Sequence, residues 1–329
     1  MDICFLDKTE FSYNSNDRFD SNLRGAENTL INLSEEFSKL GHNVTVFNNT
    51  KDNKKINNVN WFNINKITKI TKITNVFDLA FSNNDCNFFD LVQSKKNFLI
   101  SYSLQNFEKF IRKKQFVSYF KHKPKIITLG KYHTNNRSKL LSLFGVIELN
   151  LAVDNIFINT QINDDFSEDV AIFNSRPDRN MALLTDIWKN YIHPFHKSAK
   201  LLLTPSKMLG INDVNIHFRR LLDKDKYIED LLTSKIVLLP GHKAELYCIA
   251  ADEARELCIP VVTLGIGSLS ERVNHGITGF IAKDSKEFGK YTLDLFKDQI
   301  IWKEMRNNLI KIRGEKTWKD VAHNLLLKL

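Results

Sequence analysis

Residues 234–262 read SKIVLLPGHKAELYCIAADEARELCIPVV and contain the pattern that decides the fold. An apolar run ends at Gly241, a polar loop follows, and a helical pattern then leads into a second apolar run from Pro260. Glu245 falls in the loop, and Glu253 falls inside the helix. A helix that begins after a buried strand presents unpaired N–H groups and its positive end to an anion, typically a phosphate. The stretch therefore predicts a strand, loop and helix in which two carboxylates flank an anion site.

Short apolar runs of the same kind recur along the chain, with helical stretches between them. They are MDICFL, NVTVF, VFDLAF, KNFLISY, KIITLG and VIELNL in the first half, and VAIFNS, KLLLT, KIVLLP, PVVTLG and TGFIA in the second. This alternation predicts an α/β fold with parallel sheets, built as two series. The polar and acidic stretch 150–169 separates the series and marks the linker. We therefore predict two domains, at residues 1–155 and 156–329.

The composition is that of a globular protein in a reducing compartment. The 329 residues are 43% hydrophobic, which allows two domains with separate cores. The four cysteines lie far apart and form no C-x-x-C pair, so neither a zinc site nor a disulfide framework is predicted. No apolar run approaches the roughly 20 residues needed to span a bilayer, and the stretch MDICFLDKTEF has no signal-peptide pattern. We expect a cytoplasmic protein, soluble or peripheral on a membrane.

The 245–262 stretch resembles the donor site of retaining glycosyltransferases of family 4, whose usual form is E-G-F-G-L-x-x-x-E-A, a short gap and P-V-V. Here Glu245-Leu-Tyr-Cys-Ile-Ala-Ala-Asp-Glu253-Ala precedes Pro260-Val-Val. Near the amino terminus, Arg24-Gly25-Ala-Glu resembles the family's G-G-A-E, with Arg24 in place of the first glycine. The resemblance implies the GT-B fold, in which two Rossmann-like domains face each other across a cleft. It also implies that the last helix, over about 315–329, returns to the first domain.

The same resemblance implies roles for individual residues. The loop Ser-Arg176-Pro-Asp-Arg179-Asn resembles the family's G-R-L-x-x-x-K-G, so both arginines are expected to bind the donor diphosphate. Glu245 would approach the transferred sugar, and Glu253 would accept hydrogen bonds from the ribose hydroxyls. The remaining donor-binding residues are expected to be Gly25, Tyr247, Cys248 and Ile249, the last three through their backbone. Read without the resemblance, the arginine loop could be a solvated turn and the two glutamates surface acids.

Other chemistries fit the residues less well. Gly265–Ser270 is a poor dinucleotide fingerprint because serine replaces its third glycine, and a glycoside hydrolase would not need the two arginines. Asp223-Lys-Asp225 is a D-x-D triplet, which holds a divalent metal in other glycosyltransferases, but its position before a helix favours a charged helix entry. His133 is expected to be an ordinary loop histidine, with the acceptor cleft as its alternative location. Neither a metal nor a cofactor is predicted, because the nucleotide-sugar is a substrate.

Basic residues are concentrated between residues 95 and 139, with aromatic and aliphatic residues among them. The net charge is +9, and much of it arises in this stretch. Such a surface suits anionic lipid or an anionic saccharide, with roughly 1 kcal/mol for each cation near a membrane. The residues we assign to the acceptor or membrane are Lys113, Lys114, Lys121 and Lys123. The alternative is that the aromatic residues are core and the lysines a solvated face. No nucleic-acid-binding module is recognisable.

Together these patterns predict an enzyme that moves a hexose from a nucleotide-diphosphate sugar to a glycolipid or surface-polysaccharide acceptor. UDP-sugars are preferred as donors over GDP-mannose, and the resemblance implies retention of configuration without a metal. Two alternatives stay open. One is a catalytically degenerate glycosyltransferase-like binding subunit, and the other is a lipid- or polyanion-binding protein.

Overall fold

The computed structural model describes the chain except at residues 19, 21–22, 68–75, 105–106, 164–165, 167, 206–213 and 220–223. It divides into two compact units. Unit 1 consists of Met1–Leu151 and Trp318–Leu329, and unit 2 consists of Ala152–Thr317. The division lies a few residues before the predicted boundary at 155/156. The last helix, Trp318–Lys328, groups with unit 1.

Unit 1 is built on a sheet with the strand order β3-β4-β2-β1-β5-β6-β7-β8. Neighbouring strands are parallel except β3 and β4, which are antiparallel. The apolar runs predicted in this half are strands. The short hairpin of β3 and β4 was not predicted. The strands are β1 Asp2–Leu6, β2 Asn43–Asn48, β3 Lys54–Ile56, β4 Val59–Asn63, β5 Val76–Asn83, β6 Gln93–Ile100, β7 Lys125–Leu129 and β8 Val146–Leu149.

The helices of unit 1 cover the apolar faces of this sheet. The first begins at Gly25, where the Glu27 carboxylate accepts a hydrogen bond from the Arg24 N–H at 3.0 Å, a bond that helps to cap the helix. The last packs on the first, and so closes unit 1 with residues from both ends of its sequence. The helices are α1 Gly25–Lys39, α2 Phe107–Arg112, α3 Phe116–His122, α4 Gly130–Asn136 and α11 Trp318–Lys328.

Unit 2 has a parallel sheet with the strand order β11-β10-β9-β12-β13-β14. The chain runs outward from β9 to β10 and β11, and then returns to β12 on the other side of β9. The order therefore reverses between β9 and β12, which is where open α/β sheets bind ligands, beyond the carboxyl ends of the strands. The strands are β9 Val170–Phe173, β10 Lys200–Leu203, β11 Ile216–Phe218, β12 Ile236–Gly241, β13 Val261–Ile266 and β14 Gly279–Ile281.

The helices of unit 2 pack against this sheet around a core rich in branched aliphatic residues. The strands β9 and β12 are buried throughout, as expected for the centre of a parallel sheet. The two strands therefore hold the loops that follow them in fixed positions. The helices are α5 Asn155–Asn159, α6 Met181–Ile187, α7 Lys224–Leu232, α8 Ile249–Glu256, α9 Ser285–Lys297 and α10 Gln299–Ile312.

Candidate functional site

The candidate site of unit 2 consists of the two loops that follow β9 and β12. They contain residues 174–180 and 242–248, which include both predicted arginines and Glu245. A hydrogen bond from Asn180 Nδ2 to the Gly241 carbonyl, at 2.5 Å, joins the loops. Asn180 has φ +65°, a left-handed conformation that asparagine tolerates better than most residues. The two loops are thus held side by side at the point where the strand order reverses.

The two arginines lie beside one acid in the first loop. Arg176 donates to both Asp178 carboxylate oxygens, at 3.1 and 2.7 Å, and Arg179 Nη1 lies 2.8 Å from Asp178 Oδ2. The Arg176 side chain is 61% exposed and that of Arg179 is 16% exposed. Asp178 therefore pairs with Nε and Nη2 of Arg176 and with Nη1 of Arg179, which are donors that could otherwise bind an anion. Asp178 was not identified from the sequence, although its place between two arginines is the signal for it.

Glu245 lies in the second loop, close to the first. Ser175 Oγ donates to its Oε1 at 3.4 Å, and the Cys248 thiol is also hydrogen-bonded to this carboxylate. Burial raises the pKa of Glu245, while Cys248, the charge of Arg179 and Ser175 oppose the rise. A partly buried carboxylate beside Arg179 can accept hydrogen bonds from a sugar and interact with charge that develops next to it. The structure thus brings Glu245 and Arg179 together.

The backbone of Glu245 is held in place by the loop that follows β13. The Ser268 N–H donates to the Glu245 carbonyl at 3.0 Å. Gly267 has φ +75°, and a Cβ atom there would lie 2.4 Å from the His242 carbonyl oxygen and 3.0 Å from that of Glu245. Only glycine allows this approach of two backbones. The glycine-containing segment after β13 therefore supports the loop that contains Glu245.

Glu253 lies on α8, the helix that follows the loop of Glu245, and it is partly exposed. Tyr227 Oη donates to its Oε2 at 2.6 Å, and Asn174 Nδ2 donates to Tyr227 Oη at 3.1 Å. The Arg219 guanidinium lies over the Tyr227 ring, 4.9 Å from its centroid. Burial raises the pKa of Glu253, while Lys224 and then Tyr227 act to lower it. Tyr227 was not identified from the sequence, because 26 positions separate it from its partner.

The helix that follows Glu245 begins where it was predicted. Cys248 is the N-cap residue of α8, and its side chain makes no cap hydrogen bond. The Tyr247 side chain has other partners. Its hydroxyl donates to Asp252 at 2.5 Å, and Arg272 and Lys316 lie 3.9 and 5.4 Å from the centroid of its ring. Because these contacts occupy the Tyr247 side chain, its backbone is the part left to contact a nucleotide-sugar. The donor contacts of Tyr247, Cys248 and Ile249 stay a prediction.

In unit 1, Gly25 is the first residue of α1, and its donor contact also stays a prediction. The expectation for His133 was wrong. His133 is 1% exposed and lies in α4, where its Nδ1 accepts a hydrogen bond from the Leu129 N–H at 3.0 Å. Burial lowers its pKa to about 4. A buried acceptor of this kind has a structural role, because it satisfies a backbone donor at the start of the helix.

The basic stretch of unit 1 contains both buried and exposed aromatic residues. Phe110 and Tyr119 are core residues, whereas Val117 is 78% exposed and Phe120 is 50% exposed. Phe120 also contacts Phe144, with ring centroids 6.1 Å apart. We call this surface the apolar–basic patch. The name covers the exposed apolar residues Phe107, Ile111, Val117, Phe120, Leu140 and Leu143 and the exposed lysines Lys113, Lys114, Lys121 and Lys123 of the same part of the chain.

Neither a metal cluster nor a membrane span is found among the described residues. No group of three or more histidine, cysteine, aspartate or glutamate side chains there is placed to hold a metal ion. The D-x-D triplet falls partly outside these residues, since Asp223 is not described, while Asp225 is exposed in the first turn of α7. Within the same part of the chain, the helices are all too short or too polar to cross a membrane.

The sequence comparison with known families covers only part of unit 2. Residues 196–315 match the family model described as glycosyl transferases group 1. This segment includes Glu245 and Glu253 but not the loop of Arg176 and Arg179. No curated protein is similar enough in sequence to count as a relative. The predicted resemblance to group 1 glycosyltransferases is thus confirmed, while family 4 membership and retention stay predictions.

Solved structures resemble nearly the whole chain. The Anabaena protein Alr3699/HepE in complex with UDP and glucose has 14% identity and a TM-score of 0.69, with 100% of this chain and 99% of that chain covered. Sucrose-phosphate synthase (tll1590) from Thermosynechococcus elongatus has 12% identity and a TM-score of 0.67, with 98% and 97% covered. WaaG, a glycosyltransferase involved in lipopolysaccharide biosynthesis, has 10% identity and a TM-score of 0.65, with 98% of each covered. The predicted α/β, GT-B fold class is confirmed.

Proposed function

We propose that this chain is a glycosyltransferase that takes a hexose from a nucleotide-diphosphate sugar. One observation carries the proposal: the loops after β9 and β12 bring Ser175, Arg179 and Glu245 together at the reversal point of a parallel sheet. Glu253 follows on the helix that starts from the second loop. Cations, a helix amino terminus and carboxylates for hydroxyl groups are the groups that a nucleotide-sugar requires.

The residues have separate roles in the proposed reaction. Arg176 and Arg179 bind the diphosphate and stabilise the charge that grows on it as the sugar leaves, with the start of α8 as a further positive end. Arginine suits this role because its forked donors match phosphate oxygens. Glu245 accepts hydrogen bonds from the transferred sugar. Because these groups supply positive charge directly, the proposed reaction uses neither a metal nor a cofactor, and we propose that it retains the anomeric configuration.

The proposed donor is a UDP-sugar, with GDP-mannose as the alternative. The structure of Alr3699/HepE in complex with UDP and glucose supports this preference. The test is calorimetric titration of wild type and Glu253→Ala with UDP, GDP, ADP and their common sugar conjugates. We expect one nucleoside diphosphate to bind, and Glu253→Ala to lose about 10-fold or more in affinity, as for a hydrogen bond to a charged group. Binding of no nucleotide would refute the proposed donor site.

The proposed acceptor is a glycolipid or a surface-polysaccharide intermediate at the inner face of the cytoplasmic membrane. The support is the apolar–basic patch of unit 1, because exposed large apolar side chains next to lysines are suited to anionic lipid. The involvement of the similar protein WaaG in lipopolysaccharide biosynthesis agrees with such an acceptor. Two lysines of the patch face aspartates: Lys121 lies 2.5 Å from Asp90, and Lys113 lies 4.0 Å from Asp85. We therefore expect weak and reversible attachment.

The membrane proposal is tested by flotation with neutral vesicles and with vesicles that contain anionic phospholipid. We expect binding only to the anionic vesicles, and loss of binding when Lys113, Lys114, Lys121 and Lys123 are replaced by glutamine. A matched control replaces Lys189, Lys197, Lys286 and Lys290, which are exposed lysines of unit 2, so that the net charge changes equally. Equal losses in both variants would show that only total charge matters, and unchanged binding would refute the patch.

Two other functions have specific support. A degenerate binding subunit is favoured by Arg24, which stands where the family has a glycine. It is also favoured by Asp178, which accepts hydrogen bonds from Arg176 and Arg179. It would bind the nucleotide weakly and would neither hydrolyse nor transfer the sugar. A lipid- or polyanion-binding protein would bind anionic vesicles with the same affinity after Glu253→Ala, and would not bind nucleotides. Release of the nucleoside diphosphate from its sugar conjugate, measured with and without acceptor lipid, distinguishes an enzyme from both.

A further inference from the structure

We propose that Tyr227 is a positioning residue that fixes the carboxylate of Glu253 for the ribose of the bound nucleotide. This inference rests on the proposed function, and it concerns how the ribose is recognised. Tyr227 belongs to α7 and Glu253 to α8, and the hydrogen bond of 2.6 Å between them is made inside unit 2. Tyr227 would act through Glu253 and need not contact the nucleotide itself.

The direction of each hydrogen bond follows from the donors that are present. Asn174 Nδ2 donates to the Ala250 carbonyl and to Tyr227 Oη, both at 3.1 Å. Because an amide nitrogen can only donate, Tyr227 Oη accepts from Asn174 and gives its own proton to Glu253 Oε2. The carboxylate is therefore held at one oxygen by a donor whose own orientation is fixed. Among the described residues, no hydrogen bond to its other oxygen, Oε1, is found, and in the proposal this oxygen accepts from a ribose hydroxyl.

The Tyr227 side chain is itself restrained on several sides. Arg219 lies over its ring at 4.9 Å, and Phe157 packs edge-on with ring centroids 6.2 Å apart. Aromatic pairs of this geometry, and cations over rings, each stabilise a fixed ring position. A restrained hydroxyl loses little entropy when it orients Glu253. The tyrosine is therefore suited to hold the carboxylate before a nucleotide arrives.

The groups that shift the pKa of Glu253 come from three segments. Lys224 and Tyr227 lie on α7, Arg219 follows β11, and Asp154 precedes α5. Lys224, Tyr227 and Arg219 act to lower the pKa of Glu253, whereas burial and Asp154 raise it. Loss of the Tyr227 hydroxyl removes one of the contributions that lower the Glu253 pKa. The Glu253 pKa should then rise further, and ribose binding should weaken at a higher pH than in wild type.

The test measures binding of UDP, 2′-deoxy-UDP and 3′-deoxy-UDP to wild type and to Tyr227→Phe by calorimetry, between pH 5 and 8. Wild type should bind UDP about 10-fold or more tightly than at least one deoxy analogue, as for a hydrogen bond to a charged acceptor. In Tyr227→Phe this ratio should fall several-fold, and the pH at which affinity is half lost should move upward. A purely structural role would weaken all three ligands equally and leave the pH midpoint in place.

Tyr291→Phe is the matched control. Tyr291 also lies in unit 2 and donates to a glutamate, Glu287, at 3.3 Å, but it belongs to α9 and stacks on Phe280 away from the site. The Tyr291→Phe variant should leave unchanged both the ratio of UDP affinity to deoxy-analogue affinity and the pH at which affinity is half lost. If Tyr227→Phe does not fold, Asn174→Ala makes a related test, because it removes the donor that orients the Tyr227 hydroxyl without adding a charge, and the ratio should again fall.

The outcomes separate the inference from the proposed function. Nucleotide binding by wild type, with the same ratio and the same pH midpoint in Tyr227→Phe, would overturn the role of Tyr227 and leave the proposed function standing. Absence of nucleotide binding by wild type would overturn both. A reduced ratio in Tyr227→Phe, together with an unchanged ratio in Tyr291→Phe, is the result that we expect.

Discussion

Gly267 offers a sharp test of whether the loop after β13 supports Glu245. Two glycines of unit 2 have almost the same left-handed backbone, Gly267 with φ +75° and Gly276 with φ +76°. They differ in their surroundings. A Cβ atom at Gly267 would lie 2.4 Å from the His242 carbonyl oxygen, whereas one at Gly276 would have nothing within 4 Å. Alanine at each position therefore causes the same backbone strain, but only Gly267→Ala pushes on the loop of Glu245.

The expected magnitudes follow from these contacts. Alanine in the left-handed region costs roughly 1–2 kcal/mol of folding stability at either position. Gly267→Ala adds the cost of displacing a backbone that cannot move freely, about 1–3 kcal/mol as for an overpacked core. Because Ser268 donates to the Glu245 carbonyl at 3.0 Å, the displacement reaches the carboxylate. A misplacement near 1 Å costs on the order of 100-fold in turnover.

The assay combines urea denaturation with sugar transfer or donor hydrolysis for wild type, Gly267→Ala and Gly276→Ala. We expect Gly276→Ala to lose stability but keep its activity. Gly267→Ala should lose more stability and about 10- to 100-fold in turnover. Equal stability losses in the two variants, with equal activity, would refute the argument that close approach of the Gly267 backbone positions Glu245.

Three further predictions concern single side chains. Asp178→Asn should bind the nucleoside diphosphate a few-fold more tightly, because Arg176 and Arg179 no longer share their donors with a carboxylate; weaker binding by calorimetry would show that Asp178 aids the ligand. Arg179→Lys should lose about 10-fold in nucleotide affinity, since a single ammonium cannot replace forked donors, and an affinity within twofold of wild type would contradict this. His133→Asn keeps an acceptor for the Leu129 N–H but removes the imidazole that titrates. In the folded wild type the His133 pKa is about 4, below the usual 6.5 of an unfolded chain. Wild type should therefore lose folding stability as the pH falls from 6.5 to 4, about 2 kcal/mol at pH 5. Urea denaturation at pH 7 and pH 5 checks this, and the same loss in His133→Asn would assign it to another group.

Much of unit 2 could be predicted because its signals are local. The buried run before Gly241 and the helical pattern after it lie next to each other in the sequence, so the positions of Glu245 and Glu253 followed from pattern alone. The hairpin of β3 and β4 could have been found in the same way. Asn57 and Asn58 both have positive φ at its two-residue turn, and a pair of asparagines between two strands is a turn signal.

The contacts that were missed join residues far apart in the sequence. Tyr227 and Glu253 meet only because α7 and α8 pack on the same sheet, and no spacing rule relates them. His133 was assigned to a loop, whereas it lies in a short helix where tertiary packing buries it. The pairing of Asp178 with two arginines is local, but it depends on side-chain conformations within a turn. Sequence patterns therefore predicted which loops and helix contain the candidate residues, but not the interactions between those residues.

The division of the chain has a consequence for its synthesis. Unit 1 contains both Met1–Leu151 and Trp318–Leu329, whereas unit 2 is one continuous segment. A ribosome therefore completes unit 2 before it makes α11, the helix that packs on α1. Domains generally fold as units during translation. Unit 2 can thus begin to fold while unit 1 still exposes the surface of α1 that α11 later covers. During this period the nascent chain would need protection of that surface.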